Sequence, residues 1–190
     1  MPVDEEFAPY DHQLAQLRVP PHSTEAESSV LGGLLLDNQA WDRVGDLLIE
    51  SDFYRFEHRL IYAGIAKLVN ASKPADVITV YEHLQSIGKS EEVGGLAYLN
   101  ALAQYVPSAS NIRRYAEIVR ERAILRKLVT ASDEIATAAF NTQGRPVDKI
   151  LDEAEQKIFN IGEEGSRMKQ GFQGMDSLVV ELLDRVQEMA

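Results

Sequence analysis

Hydrophobic positions in this chain recur three and four residues apart along most of its length, with no convincing run of two-residue alternation. That period predicts helices rather than strands. The first helix is expected to be capped at Ser23 or Thr24, with Thr24-x-x-Glu27 matching a capping box, and to carry Val30, Leu31, Leu34 and Leu35. A second, Gln39 to Ile49, packs through Trp41, Val44, Leu47 and Leu48. Ser51-Asp52 opens a third unit with the stripe Leu60, Ile61, Ile65 and Leu68, broken at Lys73-Pro74. Thr79 is expected to cap a short helix through Val80, Leu84 and Ile87. Gly94-Gly95 precedes another through Leu96, Leu99 and Leu102.

The longest element comes next. Pro107 stops the preceding helix, Ser110 offers a cap, and no Pro or Gly follows until Gly144. A helix of about 30 residues extends roughly 45 Å. Its apolar positions include Ile112, Tyr115, Val119, Leu125, Leu128, Val129, Ile135 and Phe140. The turn from Asn141 to Pro146 then reverses the chain into a helix with Ile150, Leu151, Ala154, Ile158 and Ile161 on one side. The chain therefore reads as all-α. An acidic tail is expected at 1–18, a helical globule at 19–109, a helical hairpin at 110–161, a glycine-rich linker at 162–175 and an amphipathic helix at 176–190.

That last helix places Leu178, Val179, Leu182, Leu183 and Val186 on one stripe, behind a linker containing Gly162, Gly165, Gly171 and Gly174. A helix of about 14 residues is marginal in water without a surface to pack on. Its docking residues Leu178, Leu182, Leu183 and Val186 are expected to meet another copy or a further domain.

Composition narrows the setting. With 190 residues and 45% hydrophobic content, the chain can bury a sizeable core. It has no cysteine, so disulfides and thiolate metal sites are excluded, and a cytoplasmic protein is expected. The opening MPVDEEFAPYDHQ lacks the apolar centre of a signal peptide, and no apolar run is long enough to span a membrane. The net charge is −11, unevenly distributed. Between Arg113 and Lys127 stand six basic residues and two acidic ones, leaving 13 basic and 28 acidic elsewhere. The acidic remainder argues against general attraction to nucleic acid. The basic helix at 113–127 stays open to three readings: a solvated face with intrahelical pairs, a dock for an acidic protein surface, or a direct nucleic-acid contact. No aromatic residues interleave with its arginines as base stacking would require.

Catalytic signals are weak. Gly88-Lys89-Ser90 resembles the end of a phosphate loop, but His83 occupies the position where that loop needs its first glycine. A glycine ending a helix explains it better. His12, His22, His58 and His83 are too dispersed for a helical metal pair, and no serine lies in a nucleophile elbow. No catalytic, cofactor-binding or metal-binding residue is assigned. Trp41 is expected in the core rather than as a binding platform.

Several segments carry a resemblance. PPHSTEAESSVLGGLLLD (Pro20 to Asp37), SDFYRFEHRLIYAGI (Ser51 to Ile65), GGLAYLNALA (Gly94 to Ala103), VPSASNIRRYAEIVRERAILRKL (Val106 to Leu128) and DEAEQKIFNI (Asp152 to Ile161) occur in the order found in DnaB-type replicative DNA helicases. The chain resembles the N-terminal third of that family, from residue 19 onward. The resemblance implies a helical globule, a long hairpin, and a linker with its helix. In the family a RecA-like motor follows, which holds the Walker A loop, ATP and magnesium and drives 5′-to-3′ unwinding; no such sequence is present here. It further implies hairpin-paired dimers arranged as a trimer-of-dimers collar. A DnaG-type primase docks on that collar, the linker helix packs on a neighbouring subunit's motor domain, and DNA is engaged only by the complete hexamer. Ile135, Phe140, Leu151 and Ile158 are the expected self-association residues. Arg120, Arg122 and Arg126, taken as exposed, are the expected polar contributors to primase docking. The alternative is a free-standing all-α nucleic-acid-binding protein using residues 113–127.

Overall fold

A computed structural model describes residues 19–105 and 111–170. Among them every regular element is helical. The order is α1 (Thr24–Leu36), a 3-10 turn (Asn38–Ala40), α2 (Trp41–Val44), a second 3-10 turn (Glu50–Asp52), α3 (Phe56–Asn70), α4 (Val77–Ser86), α5 (Gly95–Gln104), α6 (Ile112–Phe140) and α7 (Val147–Gln170).

Helix α1 is the axis of the globule. From Ala26 to Leu35 every residue is buried, as a helix enclosed on all sides must be. It packs most extensively on α6 and α5, and also on α3. Around it lie Phe53, Ile61, Ile65, Leu84, Leu99 and Ile112, all essentially without solvent contact. The cap is Ser23, whose hydroxyl accepts from Ala26 N. Glu27 is thereby released from the expected capping box and points into the core.

Other local expectations shift in similar ways. The helix foreseen at Gln39 to Ile49 shrinks to a 3-10 turn and one short helix, because Asn38 is drawn across to the α4 side. Its amide donates to Ala75 O and its carbonyl accepts from Ala75 N, both near 3 Å. Asp76, not Thr79, caps α4; its carboxylate accepts from Ile78 N and Thr79 N, and Thr79 answers from the third position. These bonds favour the ionised form and hold the Asp76 pKa below its ordinary value, against the smaller opposing effect of burial. Gly88, in the left-handed conformation, ends α4 with Gly88 N donating to Gln85 O and Lys89 N to Leu84 O. This is a Schellman cap. Lys89 itself pairs with Glu92, and the Gly-Lys-Ser motif is a helix terminus. Trp41 stacks on Tyr62 and packs against the core.

The boundary expected at 109/110 does not separate two bodies. Ile112, Ala116 and Val119 at the start of α6 belong to the globular core, and only the later part of α6 projects to pair with α7. The hairpin turn falls where expected, between Phe140 and Val147. Helix α7, however, runs through Gly162 and Gly165 to Gln170, beyond the expected end at residue 161. The tail at 1–18, the cues Pro107 and Ser110, residues 171–175 of the expected linker and the helix at 176–190 lie outside the described residues.

Helices α1 and α6 approach closely at Gly33, where an added Cβ would lie 2.8 Å from Ile112 Cδ1. Gly33→Val should therefore overpack the α1–α6 contact and cost about 1–3 kcal/mol in urea denaturation. An unchanged midpoint would mean that the two helices can separate freely there.

Candidate functional site: the projecting hairpin and its charged root

Three arginine and lysine side chains on one stretch of α6 anchor the hairpin. Arg120 Nη1 donates to Asp52 Oδ1 at 2.6 Å, and the Asp52 side chain has no solvent exposure. Asp52 also accepts from Ile49 N, which closes the 3-10 turn that presents it. Nearly two turns further on, Arg126 donates to Asp52 O at 2.5 Å and to Pro21 O at 2.8 Å, with its guanidinium over the Tyr54 ring. Burial lowers the Arg126 pKa from its ordinary value, and the neighbouring Arg59 adds to this. Lys127 reaches across to Glu164 on α7. Arg120 Nη2 also lies 3.4 Å from Glu164 O, while Arg120 Nε finds no hydrogen-bond partner among the described residues.

A second buried polar group ties the globule itself. The Glu27 carboxylate accepts from Tyr54 N at 2.7 Å and lies 2.6 Å from His58 Nδ1. His58 Nε2 is 2.7 Å from Tyr98 Oη. A neutral imidazole satisfies both contacts by donating from Nδ1 and accepting at Nε2. The network joins α1, α3 and α5, and its chemistry is that of a structural tie.

These geometries revise the expected arginine surface. Arg120 is buried and Arg126 is partly buried, each committed to the globule, so only Arg122 of the three is exposed. The cause is register: Ile112, Ala116, Val119 and Ala123 face the core, and Arg120 shares that face. Arg114 pairs with Glu117 and Glu121, and Arg113 with Glu117. The basic run therefore forms no exposed positive stripe, which disfavours the nucleic-acid-binding alternative.

The projecting part of the hairpin also exposes several large apolar side chains among its charged ones. Phe140 is 94% exposed, Phe159 62%, Leu151 55% and Ile158 46%, with Val129 and Val147 also exposed. Ile135 is partly covered. Val147, Leu151 and Ile158 follow one helical line on α7. Between the helices, Glu134 pairs with Lys157, and Arg145 with Glu153 beside the turn. The helices are thus pinned by polar contacts, leaving apolar side chains outward.

Sequence reasoning missed Glu27 and Asp52. For Glu27 a signal existed: it precedes Val30, Leu31 and Leu34 at helical spacing and so lies on the core stripe. Asp52 carries no such local sign, because its partner is 68 residues away.

A helical globule that roots a long antiparallel hairpin defines an all-α domain. The chain belongs to the DnaB-like helicase N terminal domain family, whose model matches residues 19–121. It is 43% identical over 176 residues to the replicative DNA helicase DnaB of Haemophilus influenzae, covering 93% of this chain but only 38% of that relative. The crystal structure of the N-terminal domain of DnaB helicase from Mycobacterium tuberculosis superposes with a TM-score of 0.72 at 38% identity, covering 75% of this chain and 99% of that one. A structure of a DnaB-like replicative helicase and its interactions with primase matches at TM-score 0.59 and 20% identity, covering 84% of this chain and 34% of that one; it shares the fold. The chain thus spans about two fifths of the length of the curated relative it matches. Among the described residues no helix is long and apolar enough to cross a membrane.

The Asp52–Arg120 pair yields a stability prediction. Asp52→Asn should cost about 3–5 kcal/mol in chemical denaturation, since it leaves a buried guanidinium without its counter-charge. Replacing both residues by leucine should recover a substantial part of that loss. A single variant within about 0.5 kcal/mol of the parent would show that the pair is not what holds the root.

Proposed function

We propose that this chain is the assembly and docking domain of a hexameric replicative DNA helicase, with no motor activity of its own. In this reading ATP, magnesium and strand translocation belong to a RecA-like motor elsewhere in the helicase, and DNA is engaged only by the full hexamer in the cytoplasm. What supports it above all is membership of the N-terminal domain family together with the uncovered apolar line on the hairpin. Exposed apolar patches of several hundred Å² usually mark interfaces.

The hairpin pairs with a second hairpin through Leu151 and Ile158, with Ile135 and Phe140 on the opposing helix, and three such dimers close a collar. A DnaG-type primase docks on the collar. Of the three arginines expected to contribute, Arg122 is the exposed one that remains, because Arg120 and Arg126 serve the root. Leu178, Leu182, Leu183 and Val186 dock the amphipathic helix on a neighbouring subunit's motor domain.

Sedimentation tests the pairing. At micromolar concentration the chain should sediment as a dimer or larger, and Ile158→Asp should shift it to monomer without loss of helix content. A strict monomer unaffected by the substitution would remove the hairpin interface. For the docking site, Arg122→Glu should slow association with the cognate primase, more at low salt than at high. Wild-type kinetics at both salt concentrations would take Arg122 out of the contact.

A further inference from the structure

Helix α7 is weakest where it ends. Residues 162–170 contain Gly162, Gly165 and Ser166, a composition that favours chain termination over helix, yet the helix runs on to Gln170. An added Cβ at Gly162 would meet nothing within 4 Å, so no close packing calls for that glycine. At Gly165 the nearest contact is Ile124 Cδ1 at 3.8 Å, an ordinary van der Waals distance. Neither glycine is needed to let another element approach. They lower helix propensity without serving packing.

Glu164 stands between them. Its carboxylate pairs with Lys127 and lies 3.7 Å from Arg120 Nη2, and its carbonyl lies 3.4 Å from the same nitrogen. Arg120 is in turn fixed to Asp52 in the globule. One side chain therefore connects the poorly helical end of α7 to the most constrained charge in the domain. Elsewhere along the hairpin Glu134 pairs with Lys157 between the helices and Arg145 of the turn pairs with Glu153, neither pair reaching the globule.

We infer that Glu164 is a latch that keeps residues 162–170 helical. When it is engaged, the helical segment spans about 14 Å; released, the same residues can extend to about 30 Å. Ion pairs at partly exposed sites are modest in strength and screened by salt, so the latch can open without unfolding the rest of the hairpin. In the assembly reading proposed above, the latch sets the length and direction of the tether leading from the collar domain; the latch itself does not depend on that reading.

Amide hydrogen exchange on the 190-residue chain tests this, measured also in the Ile158→Asp background so that hairpin pairing cannot mask the result. Glu164→Gln removes the charge while keeping nearly the same helix propensity. It should speed exchange at residues 163–168 by about five- to tenfold and leave residues 150–158 unchanged. Lys127→Met should do the same, with little further effect in the double variant. Adding Gly162→Ala and Gly165→Ala to Glu164→Gln should restore protection, because propensity then replaces the latch. Unchanged exchange in Glu164→Gln, uniform acceleration along the whole of α7, or failure of the alanines to rescue would each overturn the latch. None of these results bears on whether hairpins pair, which sedimentation reads separately.

Discussion

The ion pair between Asp52 and Arg120 joins parts of the chain 68 residues apart, and the placement of the hairpin depends on it. A carboxylate without solvent contact is tolerable only with donors and an opposite charge supplied together. Asp52 receives a backbone N–H from its own turn and a guanidinium from α6. Its backbone carbonyl takes the second arginine, Arg126, which also holds the chain at Pro21 before α1. Moving α6 by one turn would strand both arginines and the carboxylate at once. The register of a helix of 29 residues is thereby set at a single short stretch leading up to its midpoint.

Charge elsewhere on α6 is partitioned rather than pooled. Arg113 and Arg114 are answered by glutamates on their own helix, Arg120 and Arg126 by the globule, and Lys127 by α7. A concentration of positive charge that looks like a binding surface in one dimension is, in three, mostly a set of attachments. Beyond the root the hairpin leaves Phe140, Leu151 and Phe159 more than half exposed among charged neighbours. The root, where the charges are committed inward, is thus distinct from the part of the hairpin whose side chains are available to other molecules.

Much of this architecture was legible in the helical period. The all-α class, the long helix of about 30 residues and the reversal from Asn141 to Pro146 follow from apolar spacing and breakers, which are local properties. The glycine ending α4 was readable for the same reason. Long-range partners were not. Asn38 bonding to the backbone at Ala75 shortens the second helix, and no property of residues 39–49 announces it. Arg120 and Arg126 look identical to Arg122 in a charge count, and separating them requires knowing which face of α6 meets the globule. The continuation of α7 past Gly162 runs against propensity and rests on tertiary contact at Glu164.

The complete enclosure of α1 bears on the order in which the domain can form. Its walls are supplied by α3, by α5 and by the start of α6, so its last face is covered only by residues near Ile112 and Val119. During synthesis, at about 5–20 residues per second, the helix from Thr24 to Leu36 must leave the ribosome well before those residues exist. For several seconds the most fully buried helix of the globule has no complete binding site. Growth of the nascent chain past the start of α6, rather than any local event in α1, sets the earliest moment at which the core can close.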